Sequence, residues 1–537
     1  MRILFQLSMR TRFLFALLPA FISLSIGAQE QGQTLILAGS AFSVCTSESP
    51  VNCERNKQIN GKKYNLYNVT SEKIKQIKLN WPSDQLNNQK NNHKNELVSN
   101  TKNSKKPISK GDLLWLWRDI NNESLNSLSD HEYNFVLDIL EVFQNNKTQI
   151  NTTLNTQSSA NSVIQFVSGS LNVNSKKPTM LVVTASSRDP YSKAHVAVGL
   201  LKSVNINAQW LALTPALVHG ITNNTCNKLP ILRQTQMNLY NRDAIYPELT
   251  RAELALCENG TQALVSLINN STGVMFNDGD ERLIYKILFD QNNNPYPWTQ
   301  ALRSRPVILG EGAGATIQSK VMNTLTNITS LMALRKSENN TNAGGLGSFN
   351  FGVLDTQFSE RNRTFRLAAA LNKNEVKSTK AVIQHGFGID ENTALVVIKS
   401  PEGSLMTVVG KSGVVHLANQ SKVKPESKSY GYSYWPTGSV INITNNMFTL
   451  SERTIDEALP AIKIPPLPVQ RFGSILTNSK LRSLTQAMCL SQEQSAVAQQ
   501  DEFIISLTAT SDTQYHRVNA KEFGCAVSNL ELAIKSI

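Results

Sequence analysis

Four short stretches of this 537-residue chain carry residue types and spacings suited to chemistry at the end of a parallel sheet: 276–282, 309–315, 352–367 and 386–395. The second has the form of a nucleophile elbow. An apolar strand ends, small residues permit a sharp turn, and a helix is predicted to follow. Such a turn lifts one side chain above the sheet and aims backbone N–H groups at it. The residue at the apex is Gly312, so the shape for acyl chemistry is present without an attacking group. The hydroxyls of Thr316 and Ser319 fall inside the predicted helix, along its flank. His385 adjoins the fourth stretch as the nearest ring that could act as a base, although a hydrogen-bonded surface or core histidine is the more ordinary reading.

Charged residues cluster in the same stretches. Asp278, Asp280, Glu281 and Glu311 put four acids at one end of the predicted sheet. Crowded carboxylates repel unless a cation or hydrogen bonds offset them. The pocket is therefore a candidate site for a basic group, such as an arginine or lysine side chain, or for a divalent cation; a solvated acidic loop is the plainer alternative. Arg361, Arg363 and Arg366 have two readings. They grip an acidic ligand through bidentate contacts, or they anchor their own helix to Asp355, Glu360 or neighbouring carboxylates.

Taken in order, these stretches resemble the cyanophycinase family of serine peptidases. That family shows F-T-G-G-D-Q, then G-T-S-A-G-A, then D-Q-H-F-x-x-R-x-R-x-x-R-L, then G-I-G-I-D-E-x-T-A. Here the matching segments are 276–281, 310–315, 355–367 and 386–394, and Thr184-Ala185-Ser186 fits the family's earlier strand. The resemblance covers roughly residues 34–39 and 162–417. It implies a Ser–His–Glu arrangement that cleaves beta-linked aspartyl-arginine chains or small acidic peptides, on a class I glutamine amidotransferase-like fold. Carried over, the serine falls on Gly312, the histidine on Gln357, the first loop's Gln on Glu281 and the supporting acid on Glu391, which is kept. Arg361, Arg363 and Arg366 are also kept. An amide has no useful basicity near neutral pH, so nucleophile and base are both missing. Loss of a triad member typically costs on the order of 10⁴-fold or more. The expectation is a non-hydrolytic homologue that binds a peptide, a basic small ligand or a partner protein. Two alternatives are a working hydrolase with a relocated nucleophile and an interaction module acting through its insertion and tail. The resemblance also raises the expectation of a homodimer.

The elements that would position these loops read as α/β. The continuous apolar run at 180–184 is the signature of a strand buried on both faces, 34–37 reads as a buried strand entering a tight turn, and 208–213, 273–276 and 306–309 read as further strands. Helical stretches are predicted at 191–203, 249–268 (in part), 280–289 and 313–333. The alternation predicts a doubly wound, mostly parallel sheet of the flavodoxin-like kind. Runs at 394–397 and 405–409 predict an antiparallel edge. Residues 46–161 are rich in Asn, Lys, Ser and Thr and read as an insertion, disordered in its first half, with short helices near 113–117 and 133–143. Residues 34–445 thus form the α/β domain. Residues 446–537 hold a proline-rich linker at 460–468 and a tail expected to pack through helices.

The first 28 residues predict a secretory signal peptide: Arg2, Arg10 and Arg12, an apolar run at 13–26 and Gly27-Ala28 before the cut. That run is shorter than the ~20 residues a membrane span needs, so no stable span is expected after cleavage, and the protein is placed in the periplasm or outside the cell. Six cysteines fit an oxidising compartment. Nearest-neighbour pairing joins Cys45 with Cys53, Cys226 with Cys257 and Cys489 with Cys525, one of several connectivities open. None has metal-ligand spacing, and no metal or cofactor is expected. Net charge is +13, but the Lys/Asn-rich run at 87–110 lacks interleaved aromatics, so nucleic-acid binding is not expected.

Overall fold

The computed structural model describes residues 32–82, 104, 106–323, 330, 332, 341–371, 383–419, 428–462 and 474–537. The predicted signal peptide lies outside the described residues, as do most of the Lys/Asn-rich run and most of the proline-rich linker. Among the described residues no helix is long and apolar enough to cross a membrane.

Strand β1 (Gln33–Ala38) is followed by β2 (Thr179–Val183), β3 (Asn207–Trp210), β4 (Gly273–Phe276) and β5 (Val307–Glu311). These five pair in parallel in the order β1-β5-β4-β2-β3. Next along the chain come β6 (Val353–Thr356), β7 (His385–Ile389), β8 (Thr393–Ser400), β9 (Gly403–Gly410), β10 (Gly413–Asn419) and β11 (Lys428–Pro436). Then follow β12 (Val440–Thr444), β13 (Met447–Leu450), β14 (Ser495–Gln500), β15 (Phe503–Arg517) and β16 (Cys525–Ser536). The main sheet has nine strands, ordered β13-β12-β9-β8-β1-β5-β4-β2-β3. Only β8 and β12 oppose the common direction, so it is mostly parallel. The predicted antiparallel edge is antiparallel but interior, because β12 and β13 extend the sheet beyond it.

Side chains alternate across a strand, and here both faces are covered. Leu35, Leu37, Val274 and Ile308 enter a core that includes Leu264 and Ile268 of helix Pro247–Asn269 and Ile284 and Ile287 of helix Glu281–Leu288. Ile36, Met180, Met275 and Leu309 enter another with Val163 and Val167 of helix Ser158–Asn174 and Ala197 and Leu201 of helix Pro190–Lys202. Burial on both faces is why these strands read as unbroken apolar runs.

A second sheet, ordered β6-β7-β10-β11-β16-β15-β14, carries the third and fourth motif stretches. Its existence corrects the reading of the tail. Residues 474–537 contribute one helix, Lys480–Ser491, and three strands, with β16 paired to β11 near the middle of the sheet. Apolar residues recurring at every second position bury Leu530, Leu532 and Ile534 against that helix and its neighbours, a strand period rather than a helical one. The helix predicted at 313–333 also needs correction. Its first turn is helical over Ala313–Thr316 and the helix ends there, while most of 324–333 lies outside the described residues. Leu346 and Phe349 then donate their backbone N–H groups to the carbonyls of Ile317 and Gln318, at 2.6 and 2.8 Å, and so draw the chain out of the helix. A short strand follows at Val321–Asn323.

The described part of the insertion is ordered in its first half as well. Cys45–Cys53 closes a loop, and helix Ser71–Leu79 packs with helices Lys110–Asn126 and Asp130–Leu140 around buried Trp117 and Phe135. The other disulfides are Cys226–Cys257 and Cys489–Cys525.

Candidate functional site

The elbow forms where β5 ends. Gly312 has φ 48° and ψ −112°, a backbone conformation that strains any residue with a Cβ. Its N–H donates to the Ala38 carbonyl at 2.9 Å, and helix Ala313–Thr316 starts directly after it. The space a side chain would take at the apex is already filled. A Cβ at Gly312 would lie 1.8 Å from Oδ1 of Asp278, which comes from the loop after β4. That same oxygen accepts the backbone N–H groups of Gly279 at 2.8 Å and Ala313 at 3.0 Å. Gln357 Nε2 donates to the other oxygen at 3.4 Å.

A carboxylate thus sits on the N–H group of the residue after the apex, where an elbow stabilises a transient oxyanion. Two vacancies in the sequence reading, at the nucleophile and at the base, become one filled position in the structure. The sequence signal was the acid at 278, where the resembled motif has glycine, but nothing local showed where its side chain would point.

Gln357 itself has a positive φ of 49° and donates its N–H to the Gly39 carbonyl at 2.9 Å, which ties the second sheet to β1. Gly39 is required there, because a Cβ would lie 2.0 Å from the Asp390 carbonyl oxygen. Glu391 sits in the turn between β7 and β8, half-buried, and donates its N–H to Glu360 Oε2 at 3.1 Å. Burial and then the Glu360 charge push its carboxyl up, while Arg361 pulls it down. Arg482, from the tail helix, holds this corner together. It donates to Glu360 at 2.6 Å, to fully buried Asp390 at 2.9 Å and to Ser412 at 2.8 Å. No local sequence signal pointed to Arg482.

The four acids line one cleft, but each is settled by different neighbours. Asp278 is bound by amides. Asp280 caps helix Glu281–Leu288 and is bidentate with Arg282, which holds its carboxyl below the usual range despite burial. Burial pushes Glu281 up. Glu311 is 5% exposed, and burial pushes its carboxyl up to about 8; its one hydrogen bond from a described residue is the Phe42 N–H at 3.2 Å. Among the described residues no group of three or more His, Cys, Asp or Glu side chains is arranged to hold a metal ion. The arginines divide. Arg363 donates to fully buried Asp355 at 3.1 Å, and Arg366 grips the same carboxylate with two nitrogens. These two anchor their own segment. Arg361 is exposed, lines the cleft and has no ion pair among the described residues.

The candidate hydroxyls are not free either. Thr316 Oγ1 donates to the Ala313 carbonyl at 3.0 Å, and fully buried Ser319 accepts the Leu354 N–H at 2.9 Å. His385 lies at the opposite end of β7 from Asp390. It stacks on His416, 3.1 Å away between ring nitrogens, beside Phe448. The structure has a hydrogen-bonded, packed histidine rather than a base at the elbow.

Around the elbow opens a cleft of about 570 Å³. Its lining adds Phe42, Lys193, Val196 and Met275, which the sequence reading did not single out. Fold and site define a mixed α/β protein with a large, mostly parallel sheet and an elbow turn whose apex is occupied by a neighbouring carboxylate. No protein-family model matches the chain. A solved structure of a peptidase from an acI-B1 Actinobacterium aligns with 52% of this chain and 91% of its own, at 16% identity and a TM-score of 0.31.

Proposed function

We propose that this protein is a non-hydrolytic relative of the cyanophycinase-like serine peptidases, which binds a peptide or a partner protein through the elbow cleft outside the cytoplasm. The observation that carries the reading is Asp278. Its carboxylate fills the nucleophile's volume and takes the N–H groups of Gly279 and Ala313. Acyl transfer needs an attacking group, a base and free oxyanion donors; here glycine, glutamine and an internal carboxylate stand in their places. The ordered motifs support the family reading, and three disulfides fit an oxidising compartment.

The test is a restoration series assayed for beta-aspartyl-arginine release and fluorophosphonate labelling. Wild type is expected to show neither. Gly312→Ser with Gln357→His is expected to stay silent, because Asp278 still occupies the apex. Adding Asp278→Gly is expected to give labelling and turnover. Turnover or a covalent adduct in the unmodified protein would overturn the proposal.

A further inference from the structure

The cleft continues behind the elbow. Leu309 and Glu311 lie two residues apart on β5 and so face the same side of the sheet, the side covered by helices Ser158–Asn174 and Pro190–Lys202. On the second helix, Lys193, Val196, Ala197 and Leu200 follow helical spacing and line one wall. Phe42 and Met275 close the others, and Glu311 lies at the floor. One Glu311 oxygen accepts the Phe42 N–H; the other accepts no hydrogen bond from any described residue. Lys193 is exposed and has no ion-pair partner among the described residues.

We propose that this crevice is a ligand subsite for a carboxylate carried on an apolar body, with the Glu311 carboxyl as its hydrogen-bonding floor and Lys193 as the cation at its mouth. The inference rests on reading the cleft as a binding site. Apolar walls take the body of such a ligand, and burying that surface favours binding by about 25 cal/mol per Å². Desolvation, with a smaller push from Asp278, lifts the Glu311 carboxyl to about 8, so at neutral pH it has a proton to donate. The charges that act on it are Asp278 and Lys193; Asp280, Glu281, Arg282, Arg361, Arg363 and Arg366 line the same cleft. Helix Ser158–Asn174 and residues 39–44 carry no ionisable side chain. A ligand cation would instead meet the Lys193 charge at the mouth.

Calorimetry with hexanoate, from about pH 6 to about pH 9.5, tests this on the full chain. Wild type is expected to bind at the acidic end and to lose about tenfold or more in affinity as Glu311 ionises on the way to the basic end. Glu311→Gln, whose amide still donates, is expected to bind with a flat profile, and Lys193→Met to bind about tenfold more weakly throughout. N-acetyl-leucine presents the same chemistry as a peptide terminus; whichever of the two binds tighter names the source, peptide end or acyl chain. Absence of heat with both in folded wild type, a flat wild-type profile, or tighter binding of hexylamine would each overturn the subsite. None of these outcomes produces hydrolysis or a covalent adduct, so they are distinct from failure of the proposed function.

Discussion

Two charged regions of the molecule are built on opposite plans. Where the insertion meets the α/β body, buried arginines are paired with buried carboxylates. Arg242, 1% exposed, donates to Asp189 at 2.6 Å and to Glu141 at 2.9 Å. Arg188 is bidentate with buried Asp138. Nearby, Arg233 pairs with fully buried Glu253, which Tyr191 also bonds. At the elbow, by contrast, the acids are settled one by one, by backbone amides, by a neighbouring arginine or by keeping a proton, while Lys193 and Arg361 have no ion pair among the described residues. Closed networks hold elements together; open charges around a cavity are available to a ligand. The insertion is thus fastened to the body by buried ion pairs, and the open charges around the cleft are what the proposed binding role would use.

Mutations at the closed network test that contrast most severely. Arg242→Ala leaves Asp189 and Glu141 without their buried partner. It is expected to cost about 3–5 kcal/mol, read as a lower midpoint in urea unfolding. Less than 1 kcal/mol would mean the junction is not closed. At the elbow, Gly312→Ser should cost about 1–3 kcal/mol from its positive φ alone, with the Asp278 clash added. Asp278→Gly in the same chain should recover the second part, which a double-mutant cycle in unfolding free energy would show.

A gentler test uses pH. Glu311 holds its proton to about 8 when folded, against a usual value of 4.5. Between those values the folded state binds more protons, so this group's contribution is fully present below 4.5 and is lost as pH rises through 8. Glu311→Gln is expected to flatten that part of the decline in melting temperature between about pH 5 and 8; an unchanged slope would place the titration elsewhere. The smallest effect belongs to Arg361→Ala, expected to shift stability by less than about 0.5 kcal/mol, because the exposed side chain makes no ion pair among the described residues. A large loss there would show that Arg361 belongs to a closed network after all.

Much of this architecture was legible along the chain. The unbroken apolar runs marked β2, β4 and β5, and the small residues at 310–315 marked the turn. What failed had competing partners out of sight. The helix predicted from Ala313 stops after Thr316 because residues 346–349 capture the next carbonyls. The tail was assigned to helices because its strands' partner, β11, could not be inferred from the tail alone.

The sequence by itself determined that the apex of the elbow has no hydroxyl and that no histidine stands at 357, since a missing atom needs no coordinates. It also determined the buried strands β1, β2, β4 and β5, whose apolar runs are a local property of the chain. Only the tertiary structure decided that Asp278 turns into the vacated space, that Arg363 and Arg366 serve Asp355 while Arg361 does not, and that Arg482 reaches Asp390 across 92 residues. The physical reason is that a charge is neutralised by whatever group arrives beside it. That arrival depends on how distant segments pack, whereas turns and strand periods depend only on neighbours in the chain.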